Sequence, residues 1–380
     1  MTGAPLVSLH VNTEARFGGG ESQVQLLARG LAARGHRVVI AARARGPLIG
    51  QAADAGLPVV AIRPSFEFCP VTTARLARVL RETRADVLHL HTPHAVGFGP
   101  WAARLAGTRA VVAARRTFPS RPAGPFVRWK WNRAGRIVAI SVALGEALRR
   151  QGFDSGRLRV IRSGVDLRRL AAVAPRDPRG EFGWPADSVV VACVGNLLPV
   201  KGHLRLVRAA SIVARFEPKG RFFIAGEGPE RGALARAVET EGLSGRFRLA
   251  GFRDDAVALL RGSDLFVLPS RAEGLGTSLL DALALGLPSI TTDATGGPEI
   301  FGEGDGAAGS IVPAKGDDDG RLLAAEILRL LRDPALRERL RRAGPRRAAL
   351  YSIERTVAET EALYRELLAE DGREAPSGAG

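Results

Sequence analysis

Cysteine is scarce in this sequence, with only Cys69 and Cys193 among 380 residues. The two are far apart and belong to no paired motif, so neither a disulfide framework nor a zinc knuckle is indicated. No apolar run approaches the roughly 18 residues of a membrane-spanning helix. The first residues lack a basic segment followed by an apolar core, and we expect a first strand there rather than a signal peptide. We therefore expect a cytoplasmic protein whose membrane contact is peripheral, on the inner face of the cytoplasmic membrane.

Acidic side chains are outnumbered as well. The sequence holds 39 Asp and Glu against 55 Lys and Arg, which gives a net charge of +16 and an isoelectric point near 11.2. This excess favours anionic partners, namely nucleic acid, an anionic membrane surface or phosphorylated ligands, and charge alone does not choose among them. A hydrophobic content of 46% with a mean hydropathy of +0.02 is typical of a globular chain, and a length of 380 residues favours two domains.

What the sequence does contain is a regular alternation of strand-like and helix-like segments. Apolar runs such as 6–11, 87–90 and 189–194 are each followed by residues with helical periodicity. Alternation at this short spacing predicts parallel sheets covered by helices on both faces. We therefore expect an α/β fold of two doubly wound, Rossmann-like domains that face each other across a cleft, with ligands at the carboxyl ends of the strands.

The domain boundary is indicated by residues 171–187, which are rich in Pro, Arg and Asp and lack clear periodicity. We interpret this segment as the linker. The region from Arg321 to Glu370 is expected to be helical, with one break at Gly344 and Pro345. The expected divisions are an N-terminal domain at 1–168, a C-terminal domain at 169–352, a helix at 353–370 that braces the N-terminal domain, and a frayed tail at 371–380.

The stretch 270–300 has the features of a phosphate site. A strand-like apolar run is followed by a glycine-rich loop that carries Glu273, and Thr277 then opens a helix. The first amides of a helix have no partner within it and lie at the positive end of its dipole, so such a junction binds phosphate. Glu273 and Asp281 flank the junction, and carboxylates beside a phosphate can hold sugar hydroxyls. This arrangement predicts a nucleotide-sugar site.

Seven segments together resemble the retaining nucleotide-sugar glycosyltransferases of the family-4 type, which have the two-domain GT-B fold. Each segment is weak alone, but their order and spacing are specific, and the resemblance extends over most of the chain. The segments are FGGGE at 17–21, HLHTPHA at 89–95, ISVALGEALRRQG at 140–152, VIRSGVD at 160–166, VGNLLPVKGH at 194–203, IAGEGPE at 224–230 and EGLGTSLLDALALGLPSI at 273–290.

The resemblance implies three catalytic residues, Glu273, Lys201 and Arg116. Glu273 matches the glutamate that contacts the donor sugar hydroxyls, and Asp281 stands where a second glutamate usually lies. Lys201 matches a lysine that neutralises the diphosphate. This sequence departs from the family in having Asn196 where an arginine is usual, and Arg116 where many relatives have a histidine against the donor sugar.

The resemblance also assigns the two domains. The C-terminal domain would bind a UDP-, GDP- or ADP-linked sugar as co-substrate, without a cofactor or metal ion, and the N-terminal domain would bind a glycan or lipid-linked acceptor. Loop backbones at strand ends would present amides to the donor. Besides Asn196, Lys201, Glu273 and Asp281, the expected donor-binding residues are Gly18, Gly19, Gly20, Gly226, Phe252, Arg253, Gly274, Leu275, Gly276 and Thr277.

The segment 115–136 combines basic and aromatic side chains and contains no acid. Such a composition suits an anionic lipid surface or a lipid-linked acceptor, and the alternative is a solvated basic face whose tryptophans pack inward. No recognised nucleic-acid motif accompanies it, so no nucleic-acid partner is expected. The residues expected to contact acceptor or membrane are Arg115, Arg121, Arg128, Trp129, Lys130 and Trp131.

Three histidines, His89, His91 and His94, superficially suggest a metal cluster. His89 and His91 share one face of a strand without a nearby cysteine or carboxylate, so no metal site is predicted. Packing within the strand and a position beside the cleft both stay open. The acidic run Asp317 to Asp319 precedes a helix and is interpreted as part of its N-terminal cap.

The sequence thus predicts a retaining glycosyltransferase of bacterial lipopolysaccharide or envelope polysaccharide synthesis. Two alternatives stay open, a non-catalytic nucleotide-sugar-binding protein and an epimerase of the same fold. The substitutions at Asn196 and Asp281 motivate the first alternative. A phosphorylase would need a lysine-bound cofactor site, which the sequence does not show.

Overall fold

The computed structural model describes residues 4–15, 18–118, 122–294 and 296–373, and its chain divides into two compact units. Unit 1 joins Met1–Gly164 with Ile353–Gly380, and unit 2 is Val165–Ser352. The expected boundary at 168 therefore lies inside unit 2. Val165 belongs to unit 2 because it pairs with Ser352 in a parallel bridge and its amide donates to the Tyr351 carbonyl at 2.8 Å.

Unit 1 is built on a seven-stranded, wholly parallel sheet in the order β3-β2-β1-β4-β5-β6-β7. Its strands are β1 Val7–Asn12, β2 Arg37–Arg43, β3 Val59–Ile62, β4 Val87–Leu90, β5 Ala110–Arg115, β6 Arg136–Ala139 and β7 Leu158–Val160. The helices between them are α1 Gly19–Ala33, α2 Pro47–Asp54, α3 Pro70–Thr83, α4 Pro93–Ala106, α5 Pro125–Trp131 and α6 Val142–Arg150.

Unit 2 is built on a six-stranded parallel sheet in the order β10-β9-β8-β11-β12-β13. Its strands are β8 Val189–Val194, β9 Gly220–Ala225, β10 Phe247–Gly251, β11 Leu265–Leu268, β12 Ser289–Thr292 and β13 Ser310–Val312. Its helices are α7 Leu167–Ala172, α8 Pro178–Phe182, α9 His203–Phe216, α10 Arg231–Thr240, α11 Ala256–Arg261, α12 Thr277–Ala284, α13 Gly297–Phe301, α14 Arg321–Arg332 and α15 Pro334–Ala348. Short 3₁₀ turns occur at Pro199–Lys201, Gly304–Gly306 and Ala349–Tyr351.

Both sheets are doubly wound, as the alternation in the sequence predicts. Central strands such as β4 and β11 are buried along their whole length. This explains why they read as continuous apolar runs rather than as an alternation of apolar and polar residues. No helix in the described ranges is long and apolar enough to cross a membrane.

The last helix, α16 (Ile353–Arg373), packs into the core of unit 1. Its Tyr364 is 1% exposed, and Val357 lies so close to α1 that a Cβ on Gly30 would come within 2.4 Å of it. Glycine at position 30 is therefore what lets the two helices approach. The helix runs three residues into the expected frayed tail, to Arg373, and residues 374–380 lie outside the described ranges.

The break expected at Gly344 and Pro345 is wrong, because both lie inside α15. A Cβ on Gly344 would lie 2.9 Å from the Leu283 carbonyl oxygen, so this glycine permits helix packing rather than a turn. The real break is at Asp333, whose side chain accepts from the Leu336 amide at 2.8 Å while Pro334 starts the next helix. An aspartate cap followed by proline is a helix start signal.

An aspartate followed by proline also starts a helix inside the segment interpreted as an irregular linker, so that interpretation is wrong. Residues 171–187 contain the end of α7 and all of α8, and α8 begins with the pair Asp177 and Pro178. The Asp177 carboxylate accepts from the Arg179 amide at 3.1 Å. The acidic run at 317–319 does cap α14, since the Asp317 carboxylate accepts from the amides of Leu322 and Leu323 at 2.8 and 3.0 Å. It lies before the helix rather than in its first turn, and the N-cap residue itself is Gly320.

Candidate functional site

The expected catalytic residues of unit 2 lie beyond the carboxyl ends of β8 and β11. These strands are neighbours in the sheet, and the strand order reverses between them. In doubly wound sheets the loops diverge at such a switch point and leave a crevice for ligands. Lys201 and Asn196 follow β8, and Glu273 follows β11, so the topology brings together side chains that are about seventy positions apart in the sequence.

An ion pair joins the two loops. Lys201 Nζ donates to Glu273 Oε2, and the Ser270 hydroxyl lies 3.5 Å from the same oxygen. The lysine and glutamate side chains are 20% and 19% exposed, so each is largely enclosed but reachable by a ligand. The cation that suits a phosphate and the carboxylate that suits sugar hydroxyls therefore stand in direct contact.

The loops are held by residues whose part in the site was not predicted. Gly202 has φ +66°, and a Cβ there would lie 2.2 Å from the Pro269 carbonyl oxygen, so only glycine lets the Lys201 loop approach the Glu273 loop. Buried Arg205 donates to the carbonyls of Pro269 and Pro313, at 2.8 Å each. Gly202, directly after Lys201, is a local sequence signal for a close approach of the two loops. Arg205 has no such signal, because its sequence context is that of an ordinary helix-surface arginine.

Helix α12 supplies the predicted phosphate junction. Its N-cap residue is Gly276, with φ +80°, and it offers no side-chain acceptor to the first amides. The positive end of the helix dipole is thus left to a ligand. Gly274, Leu275 and Thr277 surround this start, but Leu275 is 1% exposed and faces the core, so only its backbone is available.

Asp281 lies one turn further along α12. Burial raises the pKa of its carboxyl to about 6, and nearby Arg169 only partly opposes that effect. The ionised carboxylate of Asp281 is therefore held at a cost in free energy.

Two other expected donor residues of unit 2, Gly226 and Arg253, have structural roles, whereas Phe252 is exposed. A Cβ on Gly226 would lie 2.0 Å from the Gly195 carbonyl oxygen, so the glycine is required by the close approach of the loops after β8 and β9. Phe252 is 57% exposed. Arg253 donates to Asp255 and to Glu181, each at 2.7 Å, and this bonding accounts for its position.

In unit 1 the glycine run forms a helix start rather than a free loop. Gly18 is the N-cap of α1, and Gly19 and Gly20 lie in its first turn. Phe17 lies outside the described residues. A Cβ on Gly20 would lie 3.7 Å from Arg116 Cδ, which places Arg116 against this first turn.

Behind Arg116 lies a buried histidine cluster that the sequence did not predict. His10 on β1 stands opposite His89 on β4, and His91 follows one residue beyond β4, so the three rings meet. The prediction had considered His89 and His91 without His10, because only strand pairing brings residue 10 beside residue 89. His94 is elsewhere, on α4, with its ring against Phe98.

Hydrogen bonding fixes the tautomers in this cluster. The Arg116 guanidinium can only donate, so His91 Nδ1, 3.1 Å away, accepts. His91 Nε2 then carries the proton and donates to His10 Nδ1 at 3.0 Å, and His10 Nε2 donates to the Ser8 hydroxyl at 3.1 Å. Burial, and next Arg116, lower the pKa of His10 to about 3, while burial and the neighbouring charges lower that of His91 well below its ordinary value.

Three histidine nitrogens within 4.8 Å of one another could hold a metal ion by geometry alone. The chemistry does not favour it. Both nitrogens of His91 are engaged, and the Arg116 guanidinium places a positive charge beside the cluster. A cation here would be repelled by the Arg116 guanidinium, so the donor set fits neutral, hydrogen-bonded histidines better than a metal site.

Two of the residues expected to meet membrane or acceptor are buried, which corrects the prediction. Lys130 is 6% exposed and donates to both carboxylate oxygens of Glu67 at 3.0 Å, and Trp131 is 1% exposed. Both lie in the last turn of α5, whose earlier residues are exposed or half-buried. Trp129 is 44% exposed and stacks on Phe126.

The arginines of this segment differ in setting. Arg115 lies with its guanidinium 5.2 Å from the Trp131 ring centre and donates to the Thr117 carbonyl. Arg128 donates to the carbonyls of Ala123 and Gln151. Arg121 lies outside the described residues.

Comparison with known proteins agrees with this architecture. Residues 17–169 match the family described as Glycosyltransferase Family 4, and residues 176–347 match Glycosyl transferases group 1. The lipopolysaccharide core biosynthesis glycosyltransferase LpsD of Rhizobium meliloti (strain 1021) is 30% identical over 272 residues, covering 71% of this chain and 72% of that protein. The chain belongs to the family-4 glycosyltransferases.

Other relatives cover more of this glycosyltransferase. The phosphatidyl-myo-inositol mannosyltransferase of Mycobacterium leprae (strain TN) is 29% identical over 363 residues, covering 91% of this chain and 92% of that protein. The crystal structure of Anabaena Alr3699/HepE in complex with UDP superposes with a TM-score of 0.80 at 19% identity, covering 96% of this chain and all of that one. The fold is GT-B, as the sequence predicted.

Proposed function

We propose that this glycosyltransferase moves a sugar from a nucleotide-diphosphate donor to a hydroxyl of a glycan or lipid-linked acceptor, with retention of anomeric configuration. The contact between Lys201 and Glu273 at the switch point carries the proposal, because it joins a phosphate-binding cation to a sugar-binding carboxylate beside an uncapped helix start. Structures of HepE with UDP and with UDP-glucose support a nucleotide sugar as the ligand class.

The proposed mechanism depends on charge stabilisation of the departing diphosphate. Lys201, the Asn196 amide and the first amides of α12 would supply it without a metal ion. Glu273 would orient the sugar rather than attack it, Asp281 would hold further hydroxyls, and Arg116 would face the donor sugar. A phosphate oxygen of the leaving group would help to accept the acceptor proton.

The biological setting is proposed from the relatives. LpsD acts in lipopolysaccharide core biosynthesis and the Mycobacterium leprae protein is a phosphatidyl-myo-inositol mannosyltransferase, according to their names. We infer a role in lipopolysaccharide or envelope polysaccharide synthesis, at the inner face of the cytoplasmic membrane.

The test is nucleotide release from a panel of UDP-, GDP- and ADP-sugars, with glycan and lipid-linked acceptors. Glu273→Gln and Lys201→Ala should each lower kcat/KM by about 100-fold or more, because each removes charge or orientation at the reacting centre. Glu303→Gln, at an exposed glutamate of the same unit, should leave kcat/KM unchanged. Retention is checked by NMR of the anomeric centre in the product.

Two results would oppose the proposal. Nucleotide binding without release from any donor and acceptor would indicate the binding protein, the alternative that Asn196 motivates. Conversion of the donor sugar to its epimer, with no product linked to acceptor, would indicate an epimerase.

A further inference from the structure

Unit 1 carries a surface cavity of about 550 Å³ that contains none of the donor-site residues. Its volume falls within the range of about 300 to 1,000 Å³ that is usual for pockets that bind small molecules. The walls are mostly apolar and come from α3, α4, α5 and the residues just before α3. They include Phe68, Trp101, Leu105 and Trp129, with Thr73 and Arg104 as the polar lining residues.

The wall continues outward as a connected aromatic surface. The Phe126 ring lies 5.6 Å from Phe68 and 5.6 Å from Trp129. The Arg133 guanidinium lies 3.8 Å from the Trp101 ring centre and 5.2 Å from that of Trp129. One cation and four rings therefore form a single patch at the mouth of the cavity.

This patch is left open to solvent. Leu105 is 60% exposed, Phe126 59% and nearby Val71 58%. Large apolar side chains exposed together, rather than singly, mark an interaction site.

The charges around the patch are uncompensated. In the part of the chain that the structure describes, no carboxylate lies within ion-pair distance of Arg104, which lines the cavity, or of Arg133, which lies over its tryptophans. Lys130 differs, since Glu67 neutralises it. Positive charge around an apolar cavity complements an amphiphile with an anionic head and a hydrocarbon chain.

We propose that this surface docks onto an anionic phospholipid bilayer, with one acyl chain in the cavity and Arg104 and Arg133 against headgroup phosphates. A second copy of this chain is a poorer occupant, because a two-fold contact would place the same arginines face to face. The inference goes beyond sugar transfer and stands whether or not the donor site acts as proposed.

The experiment measures binding of the full chain to vesicles of phosphatidylglycerol and of phosphatidylcholine. Co-sedimentation should occur with phosphatidylglycerol, weaken with salt and be much lower with phosphatidylcholine. Leu105→Ser and Phe126→Ser should each lower the partition coefficient by about tenfold or more, because each removes a large side chain from the acyl region. Phe216→Ser is the matched control, since Phe216 is 60% exposed but lies at the end of α9 in unit 2.

A second measurement tests entry of the chain. Phosphatidylglycerol with brominated acyl chains should quench the tryptophan fluorescence of the wild type and of Phe216→Ser, because Trp101 and Trp129 line the cavity. Binding without quenching would overturn the chain-in-cavity proposal. So would equal binding by Phe126→Ser and wild type, or a lipid-free dimer in sedimentation that Phe126→Ser dissociates.

Discussion

At the scale of single residues, Asp281 is a carboxylate whose ionised form the fold holds at a cost in free energy. Its pKa of about 6 exceeds the ordinary value of 3.8, so the folded protein binds the proton more tightly than the unfolded chain does. The associated stability is fully present below pH 3.8 and is lost as pH rises through 6.

Asp281→Asn should accordingly stabilise the protein at pH 7. The gain should approach about 2 kcal/mol above pH 6 and vanish below about pH 4, because the neutral amide removes the penalty for an enclosed charge. Chemical denaturation between pH 4 and 8 measures it. A gain that is independent of pH would contradict the assignment.

The buried histidine cluster of unit 1 gives a second prediction at the scale of single residues. Because Arg116 fixes the proton positions, His10 and His91 should both be neutral with the proton on Nε2. Long-range ¹H–¹⁵N NMR should show this tautomer for both rings, unchanged between pH 8 and 5. The unfolded chain in urea is the control, since its histidines should titrate near pH 6.5. Titration of His10 or His91 near that pH in the folded protein would contradict the assignment of neutral rings.

At the scale of elements, attachment of α16 to unit 1 depends on one enclosed carboxylate. Glu361 on α16 accepts from Arg34, at the end of α1, at 2.6 Å and from Arg365 at 2.9 Å. Burial raises the pKa of Glu361, but hydrogen bonds from Arg34, Arg365 and His36 outweigh that effect and hold the pKa at about 2. The stability this provides is present above the ordinary value of 4.5 and is lost as pH falls toward 2.

Glu361→Gln should therefore lower the free energy of unfolding of unit 1 by about 2 kcal/mol at pH 7, because it replaces the enclosed carboxylate with an uncharged and weaker acceptor for Arg34, Arg365 and His36. The loss should shrink as the pH is lowered from 5 to 3. Glu359→Gln is the matched control on the same helix, since its pair with Arg355 is exposed and should contribute less than about 0.5 kcal/mol. Equal effects of the two substitutions would show that α16 is attached by apolar packing alone.

At the scale of the whole molecule, each unit has a hydrophobic core of its own among the residues that the structure describes. The Lys201 and Glu273 pair, the α12 start and Asp281 all belong to unit 2. A nucleotide bound there should raise the free energy of local opening of the loops that hold it, and so slow the hydrogen exchange of their amides.

Hydrogen exchange with UDP, GDP and ADP should therefore show its largest protection in unit 2, at 195–203 and 273–281. The nucleotide that protects most identifies the base. Lys201→Ala should reduce the protection in both segments, because its ammonium joins them. Protection confined to unit 1 would place the nucleotide elsewhere.

The sequence by itself determined the fold class, because strand and helix periodicity are local properties of the chain. β4 and β8 were bounded as observed, at Val87–Leu90 and Val189–Val194. It also marked Lys201, Glu273 and the α12 start, since their glycines and spacing are local signals. Its errors at Gly344 and in the linker came from taking Gly and Pro as breakers when packing and Asp-Pro caps decided the outcome.

Tertiary structure alone decided which distant residues meet. The pairing of β1 with β4 brings His10 beside His89, and the pairing of β8 with β11 brings Lys201 into contact with Glu273. Tertiary structure also decided which side chains of α5 are buried, turning Lys130 inward onto Glu67 and leaving Trp129 outward. Such contacts depend on sheet order and helix packing across many intervening residues, and no local pattern of residues encodes them.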